Sequence, residues 1–386
     1  MTNIVQIVPA MSPGGGVTGV SWNLDQQFHS LGVRTESFTY ATARRGKPER
    51  QWPRHRLGRA VALTEQMLWF FIVGTARAKE FLAERPDAVA ICHNNVMAGD
   101  IYVNHGLVVA AMRARGGAWW RMLRNPTHLF TYARDFVRYR SRVHHAVVVL
   151  SQAEKHTLLR TYGKVAPEIV VIPNGVDLER FHPPTPAERA RAREFFNLDE
   201  EALVVLFVGH ELGHKGLEYA IEALVEATTV LLMVARGRTD TIAQARQHAE
   251  RLGVAARVFF AGLRGDTPLL MHAADMFALP SAYEANTLVI LESLASGLPV
   301  LATRTGYAPE IVVDGVNGYL VEQDAHELAV RFEQLAATVP GSWSTQSRAS
   351  VEHLSWDRIA SRYIDLADRV RAQRDRRVTE RPRRAG

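Results

Sequence analysis

The chain has 386 residues, 47% of them hydrophobic and 22% charged, the balance of an ordinary folded globular protein rather than a disordered one. At roughly 150 residues per domain, this length predicts two or three domains. A single cysteine, Cys92, excludes an intramolecular disulfide framework and a cysteine-rich zinc site.

The net charge of +6 is unevenly spread. Eight arginines face two acids over 369–386, seven basic residues face Glu49 over 44–59, and eight arginines face Asp135 over 113–142, so the remainder is net acidic. The N-terminus has no basic region and no adequate apolar core, which argues against a secretory signal and predicts a cytoplasmic protein. The apolar run over 67–73 falls far short of the ~18 residues a spanning helix needs.

Short apolar runs then alternate with helix-spaced stretches. A strand is expected over 4–8, a glycine-rich loop over 12–19, a helix over 20–31 and a strand over 33–38. A long apolar-faced helix follows over 60–83, with strands over 88–92 and 101–104. The spacing next predicts a helix over 121–145, a strand over 146–150, a helix over 152–162 and a strand over 169–172, before the turn Pro173-Asn174-Gly175. The pattern restarts with strands over 203–208, 230–234, 258–260, 276–279 and 299–302, and helices over 217–225, 242–252 and 288–296. A last helix is expected over 357–370.

Such alternation means α/β architecture with parallel sheets covered on both faces. Two runs separated near 173–186 predict two doubly wound, Rossmann-like domains. Ligands in such folds bind at the carboxyl ends of strands, so a central cleft is the default active site. The expected domains are 1–173 and 174–355, followed by a C-terminal helix over 356–372 that crosses back to the first domain, and a basic, disordered tail over 373–386.

The stretch 113–142 also holds Trp119, Trp120, Phe130, Tyr132, Phe136 and Tyr139. Basic residues interleaved with aromatics suit a peripheral contact with an anionic membrane or a polyanionic acceptor; they equally suit a solvated helix face with its aromatics turned inward. No RNA-binding signature accompanies them, and nucleic acid is not an expected partner.

Three motifs compete for the chemistry. Gly14-Gly15-Gly16-Val17-Thr18-Gly19 follows a strand, opens a helix and has Glu36 downstream, as a dinucleotide fingerprint would. Residues 9–13 nevertheless intervene between strand and first glycine, and no tyrosine has a lysine four places on. What remains is a flexible loop whose backbone can approach an anionic ligand closely.

His210-Glu211-Leu212-Gly213-His214 is a literal zinc-hydrolase motif, which works only on a helix that puts both imidazoles on one face. The β-branched run before it reads better as a buried strand. On that reading the same residues form a strand-to-helix loop from Gly209 to Gly216. Lys215, one of only five lysines against 41 arginines, then presents a compact charge to a phosphate.

The third and most specific motif is Glu284-x7-Glu292 within Pro280-Ser281-Ala282-Tyr283-Glu284-Ala285-Asn286-Thr287-Leu288. Glu284 sits before a helix and Glu292 about two turns along it, ~12 Å away at 1.5 Å per residue. This suits an elongated ligand with a sugar at one end and a ribose at the other. The N–H groups of Asn286 and Thr287 would bind a pyrophosphate at the positive helix end.

In this order the motifs resemble glycosyltransferase family 4, the retaining GT-B family, over roughly residues 3 to 370. The likeness includes the glycine loop, Val171-Ile172-Pro173-Asn174-Gly175-Val176-Asp177, Gly209 through Gly216, Glu284-x7-Glu292, and Asp314-Gly315-Val316-Asn317-Gly318. Within the family the chain is most similar to the lipopolysaccharide-core glucosyltransferase I subgroup. The resemblance implies transfer of a hexose from an NDP-sugar, UDP-glucose-like, to a glycan, lipid-linked or small-molecule hydroxyl, with no cofactor and no metal. It assigns the first domain to the acceptor and the second to the nucleotide-sugar.

The resemblance further implies that Glu284, His105 and Lys215 are catalytic. Gly15, Gly16, Gly209, His214, Lys215, Asn286, Thr287, Leu288 and Glu292 would bind the donor. His105, in Tyr102-Val103-Asn104-His105-Gly106, matches the histidine many members place near the donor sugar, and His93 is a second candidate, equally readable as a core histidine. Most members carry an arginine where this chain has His210. No Asp-x-Asp occurs, so the metal motif of the other common transferase fold is absent.

Overall fold

A computed structural model describes residues 3–47, 55–114, 116, 120, 122, 126–338 and 341–379. The basic stretch 44–59 and the basic-aromatic stretch 113–142 are therefore only partly described; Trp119 and residues 380–386 lie outside. The chain divides into two compact units. One joins everything up to Asn174 to the segment from Trp356 onward, and the other is Gly175–Ser355.

The first unit holds a parallel sheet of β1 (Asn3–Ile7), β2 (Thr35–Phe38), β3 (Ala88–Cys92), β4 (Ile101–Val103), β5 (Ala146–Val149) and β6 (Glu168–Val171) in the order β2-β1-β3-β4-β5-β6. Its central strands are buried along their whole length, β3 as Ala-Val-Ala-Ile-Cys and β5 as Ala-Val-Val-Val. Helices cover both faces of a parallel sheet, so such strands read as continuous apolar runs rather than alternating ones.

The second unit repeats the plan with β7 (Leu203–Val208), β8 (Val230–Ala235), β9 (Val258–Gly262), β10 (Met276–Leu279), β11 (Val300–Thr303) and β12 (Gly318–Val321), in the order β12-β11-β10-β7-β8-β9. From β7 the chain winds outward through β8 and β9, then returns to β10 on β7's other side. The connections after β7 and β10 thus diverge, and they open a crevice at the carboxyl edge of the sheet.

The helix Trp356–Thr379 packs against Gly16–Ser30 in the first unit. Its buried residues Trp356, Ile359, Ala360, Tyr363, Leu366, Ala367 and Val370 form one stripe at helical spacing. The helix continues past the expected end at 372, so residues 373–379 are not a disordered tail. Arg374 explains part of this, donating to the carbonyls of Ala88 (3.0 Å) and Pro86 (2.6 Å).

Other boundaries moved for local reasons. The expected helix 121–145 is helical over Pro126–Arg140, and most of 117–125 lies outside the described residues. The first helix begins at Gly16 rather than Val20, because Gly19 lets the loop fold back: a Cβ there would lie 1.7 Å from the Gly14 carbonyl oxygen. The helix Pro186–Phe195 went unread despite a complete signal, Thr185 and Glu188 forming a capping box around Pro186. Among the described residues no helix is long and apolar enough to cross a membrane.

Candidate active site

The second unit's crevice gathers the motif residues. Gly209 directly follows β7, and its missing Cβ leaves space for the Lys215 stem, whose Cδ would otherwise lie 2.5 Å away. Lys215 Nζ lies 2.7 Å from Glu284 Oε1, on the connection after β10. Ser281 Oγ donates to the same oxygen at 2.8 Å. Both charged side chains are about one-fifth exposed (21% and 18%), open enough to meet a ligand.

The two connections are tied at several points. Ala282 N donates to the His214 carbonyl at 3.0 Å. Gly216, with φ +77°, lies so close that a Cβ would be 2.1 Å from the Pro280 oxygen. Thr303 Oγ1 donates to Ser281 O (2.6 Å) and Gln323 Nε2 to Pro280 O (2.9 Å), so the Glu284 segment is held from both sides.

The His-Glu-x-x-His residues do not form a helix. They lie in a turn between β7 and the helix Leu217–Ala223, with His210, Glu211 and His214 exposed and His214 Nε2 4.0 Å from Glu211. Six apolar residues, Leu-Val-Val-Leu-Phe-Val, pair as a central strand and end at Gly209, which leaves too few residues for the helical zinc arrangement. Among the described residues no group of three or more His, Cys, Asp or Glu is placed to hold a metal ion.

Beyond Glu284, Asn286 and Thr287 lead into the helix Leu288–Ala295, whose N-cap Thr287 makes no side-chain capping bond. Thr287 Oγ1 is buried and has no hydrogen-bond partner among the described residues. The helix begins only at Leu288, so Glu292 sits little more than one turn in, not two. Burial pushes the Glu292 carboxyl up to about 7, against the pull of Arg236 and Arg180 and with a push from Asp177.

Arg236 and Arg180 were not anticipated. Arg236 directly follows β8 with φ +69°, a left-handed conformation disfavoured for a side chain of this size. The dipeptide Arg236-Gly237 after an apolar run was the available signal.

The first unit carries the remaining expected residues. Gly15 is the extended N-cap of Gly16–Ser30, without a side-chain cap, and Gly14 and Gly16 take φ of +134° and +73°. Glu36, the acid of the dinucleotide alternative, accepts from Arg85 Nε at 2.9 Å. His93 follows β3 and His105 follows β4, and their Nδ1 and Nε2 atoms are 3.1 Å apart. Burial lowers His105 to about 4 and holds His93 well below the usual histidine range, so both rings are neutral near pH 7. Asn104 Nδ2 donates to the buried Glu154 at 3.1 Å, fixing the strand end that carries His105.

Lys215, Glu284, Gly209 and His214 are thus brought together, with Asn286 and Thr287 leading into the adjoining helix and Leu288 and Glu292 on it. Gly15, Gly16 and His105 belong to the other unit.

The glycosyltransferase family 4 model matches residues 14–180, and the glycosyl transferases group 1 model matches 188–338, one for each unit. The chain belongs to the family 4 glycosyltransferases of GT-B fold. A D-inositol 3-phosphate glycosyltransferase from Xylanimonas cellulosilytica is 32% identical over 235 residues, 57% of this chain and 56% of that protein. The chain therefore spans little more than half the length of that curated relative. Two solved structures share the GT-B architecture. WaaG, a glycosyltransferase involved in lipopolysaccharide biosynthesis, aligns with TM-score 0.72 and 21% identity over 94% of this chain and 99% of its own. Anabaena Alr3699/HepE in complex with UDP-glucose aligns with TM-score 0.69 and 20% identity over 95% and 99%.

Proposed function

We propose that this GT-B protein is a retaining hexosyltransferase. It takes an NDP-sugar such as UDP-glucose and passes the hexose to a hydroxyl of a glycan, lipid-linked or small-molecule acceptor. The observation that carries this reading is the Lys215 ammonium, held 2.7 Å from Glu284 at the switch point of the second sheet, on the connection that leads into a helix whose N-cap residue makes no side-chain capping bond. An NDP leaving group gains negative charge as the anomeric carbon becomes oxocarbenium-like. Preorganised positive groups at the diphosphate and little positive charge at the sugar lower that barrier.

Lys215 and the first N–H groups of Leu288–Ala295 serve the diphosphate, with His214 beside them. Gly209 gives the lysine stem its room. Asn286, Thr287 and Leu288 line the approach, and Glu292 accepts the ribose hydroxyls. Glu284 orients the sugar hydroxyls and faces the developing cation. Gly15 and Gly16 let their loop approach the phosphates, and the neutral His105 offers a hydrogen bond to the sugar without adding charge. The acceptor oxygen attacks from the leaving-group face as the bond to the diphosphate breaks, and its proton passes to a phosphate oxygen.

A lipid-linked or polyanionic acceptor, with peripheral contact to an anionic membrane, is supported by exposed apolar residues on basic elements. Ile72, Trp120 and Val137 are 64%, 67% and 54% exposed, and Arg140 lies over the Phe136 ring. The test is a panel of NDP-sugars, scored by thermal shift and then by release of nucleoside diphosphate in the presence of EDTA. Turnover in EDTA is expected. Absence of binding to every NDP-sugar, or an activity lost to EDTA and restored by zinc, overturns the proposal.

A further inference from the structure

β3 and β4 are adjacent and parallel, and the residues just past their carboxyl ends put two imidazoles in contact. His93 and His105 stack with ring centroids 5.3 Å apart and planes inclined by 26°, and His93 Nδ1 lies 3.1 Å from His105 Nε2. His93 is 4% exposed, and its other nitrogen, Nε2, is buried with no hydrogen-bond partner among the described residues. His105 is only half-buried.

Two neutral imidazoles sharing one hydrogen bond must be complementary tautomers, since one supplies N–H and the other a lone pair. If His105 Nε2–H donates, His93 Nδ1 is the acceptor and the His93 proton must sit on Nε2. That choice seals an unmet N–H inside the protein. If His93 Nδ1–H donates, only a lone pair is left unmet at Nε2, and the His105 proton is forced onto Nδ1. Unmet buried N–H groups are the rarer defect in folded proteins. The second arrangement is the one this burial pattern selects.

We propose that His93 is a positioning residue for His105. Its Nδ1–H holds His105 in the Nδ1–H tautomer and presents that hydrogen as a neutral donor. The consequence for transfer rests on the reading given above, in which His105 faces the donor sugar: a neutral donor steadies a sugar oxygen without opposing the developing positive charge. The tautomer assignment itself does not depend on that reading.

The experiment is nitrogen-15 NMR of the full chain with labelled histidine, the two signals assigned by difference in the variants. His105 is expected as the Nδ1–H tautomer. His93→Ala should release it to the Nε2–H form preferred in water, whereas His93→Asn, whose amide N–H can stand in for Nδ1–H, should retain it. Turnover of UDP-glucose should fall by about 10–100-fold in His93→Ala, mainly in kcat, and be largely rescued in His93→Asn. Finding His105 as Nε2–H in the wild-type protein, or unchanged in His93→Ala, overturns the proposal. If the tautomer follows the prediction while turnover does not change, His93 still positions His105, and it is the sugar-facing role of His105 that fails.

Discussion

Replacing Lys215 by methionine keeps most of the stem and removes the charge. At 2.7 Å the Lys215–Glu284 attraction is about 6 kcal/mol gross at an effective dielectric of ~20, before desolvation is subtracted. With both groups about one-fifth exposed, much of that is offset, and the net cost of Lys215→Met to stability should be about 1–3 kcal/mol, because among the described residues Glu284 then keeps only the Ser281 hydroxyl. That corresponds to a fall of roughly 2–4 °C in Tm per kcal/mol for a unit of this size.

Catalysis should suffer differently. Losing one preorganised group at the developing charge costs about 10²–10³ in kcat. The double variant Lys215→Met/Glu284→Gln separates the two effects, since it also removes the stranded carboxylate. Its Tm should recover toward wild type while turnover stays low. Calorimetric unfolding, titration of UDP by isothermal calorimetry and coupled release of nucleoside diphosphate measure the three quantities. Wild-type kcat and UDP affinity in Lys215→Met, or turnover that returns with Tm in the double variant, would show the pair to be structural and sink the reasoning.

Gly216→Ala should separate the two connections, because its Cβ would lie 2.1 Å from Pro280 O at a φ of +77°; a loss of about 1–3 kcal/mol in unfolding and weakened UDP binding are expected, and a Tm equal to wild type would contradict this. Glu292 ionises near 4.5 in the unfolded chain and at about 7 in the folded one, so its contribution to stability declines as pH rises from 4.5 to 7 and is flat above. Glu292→Gln should therefore unfold at a higher temperature than wild type at pH 8. Donor KM in the wild type should rise as pH falls from about 8 to about 6, as the hydroxyl-accepting carboxylate is lost, and the variant's pH profile should be flat; parallel profiles would refute the ribose assignment. Arg374→Ala, which loses two carbonyl partners and a neighbour at 3.7 Å in Asp100, should lower the stability of the first unit by about 1–2 kcal/mol and leave UDP affinity unchanged. Altered UDP affinity there would contradict a purely structural role.

The central strands were legible because each is a run of β-branched and aliphatic residues that has to be buried on both faces. By contrast β12, Gly-Tyr-Leu-Val at the sheet edge, has no such run and was not among the expected strands, and β2, Thr-Glu-Ser-Phe, buries only Phe38. β7 and β10 match their expected bounds residue for residue. Short helices were harder. Thr267–Ala273 and Ala308–Ile311 contain too few turns for a periodic signal, and Ser344–Val351 is too polar to show an apolar face. The C-terminal helix outran its hydrophobic stripe because polar contacts through Arg374, rather than burial, sustain its last turns.

At the candidate site, residue types and their order along the chain single out Lys215, Glu284 and Glu292, because a glycine-bounded loop after a strand and two glutamates around a helix start have a local chemical meaning. What distance in sequence could not supply was contact. Lys215 and Glu284 are 69 positions apart, and only the sheet order, with β10 returning beside β7, closes them to 2.7 Å. The same holds for His93 and His105, whose pairing depends on β3 and β4 being neighbours, and for the charges of Arg236 and Arg180 that reach Glu292. Local pattern determines which elements form, since burial and hydrogen bonding act on short stretches; the strand order determines which side chains share a field, since electrostatics and hydrogen bonds act across space.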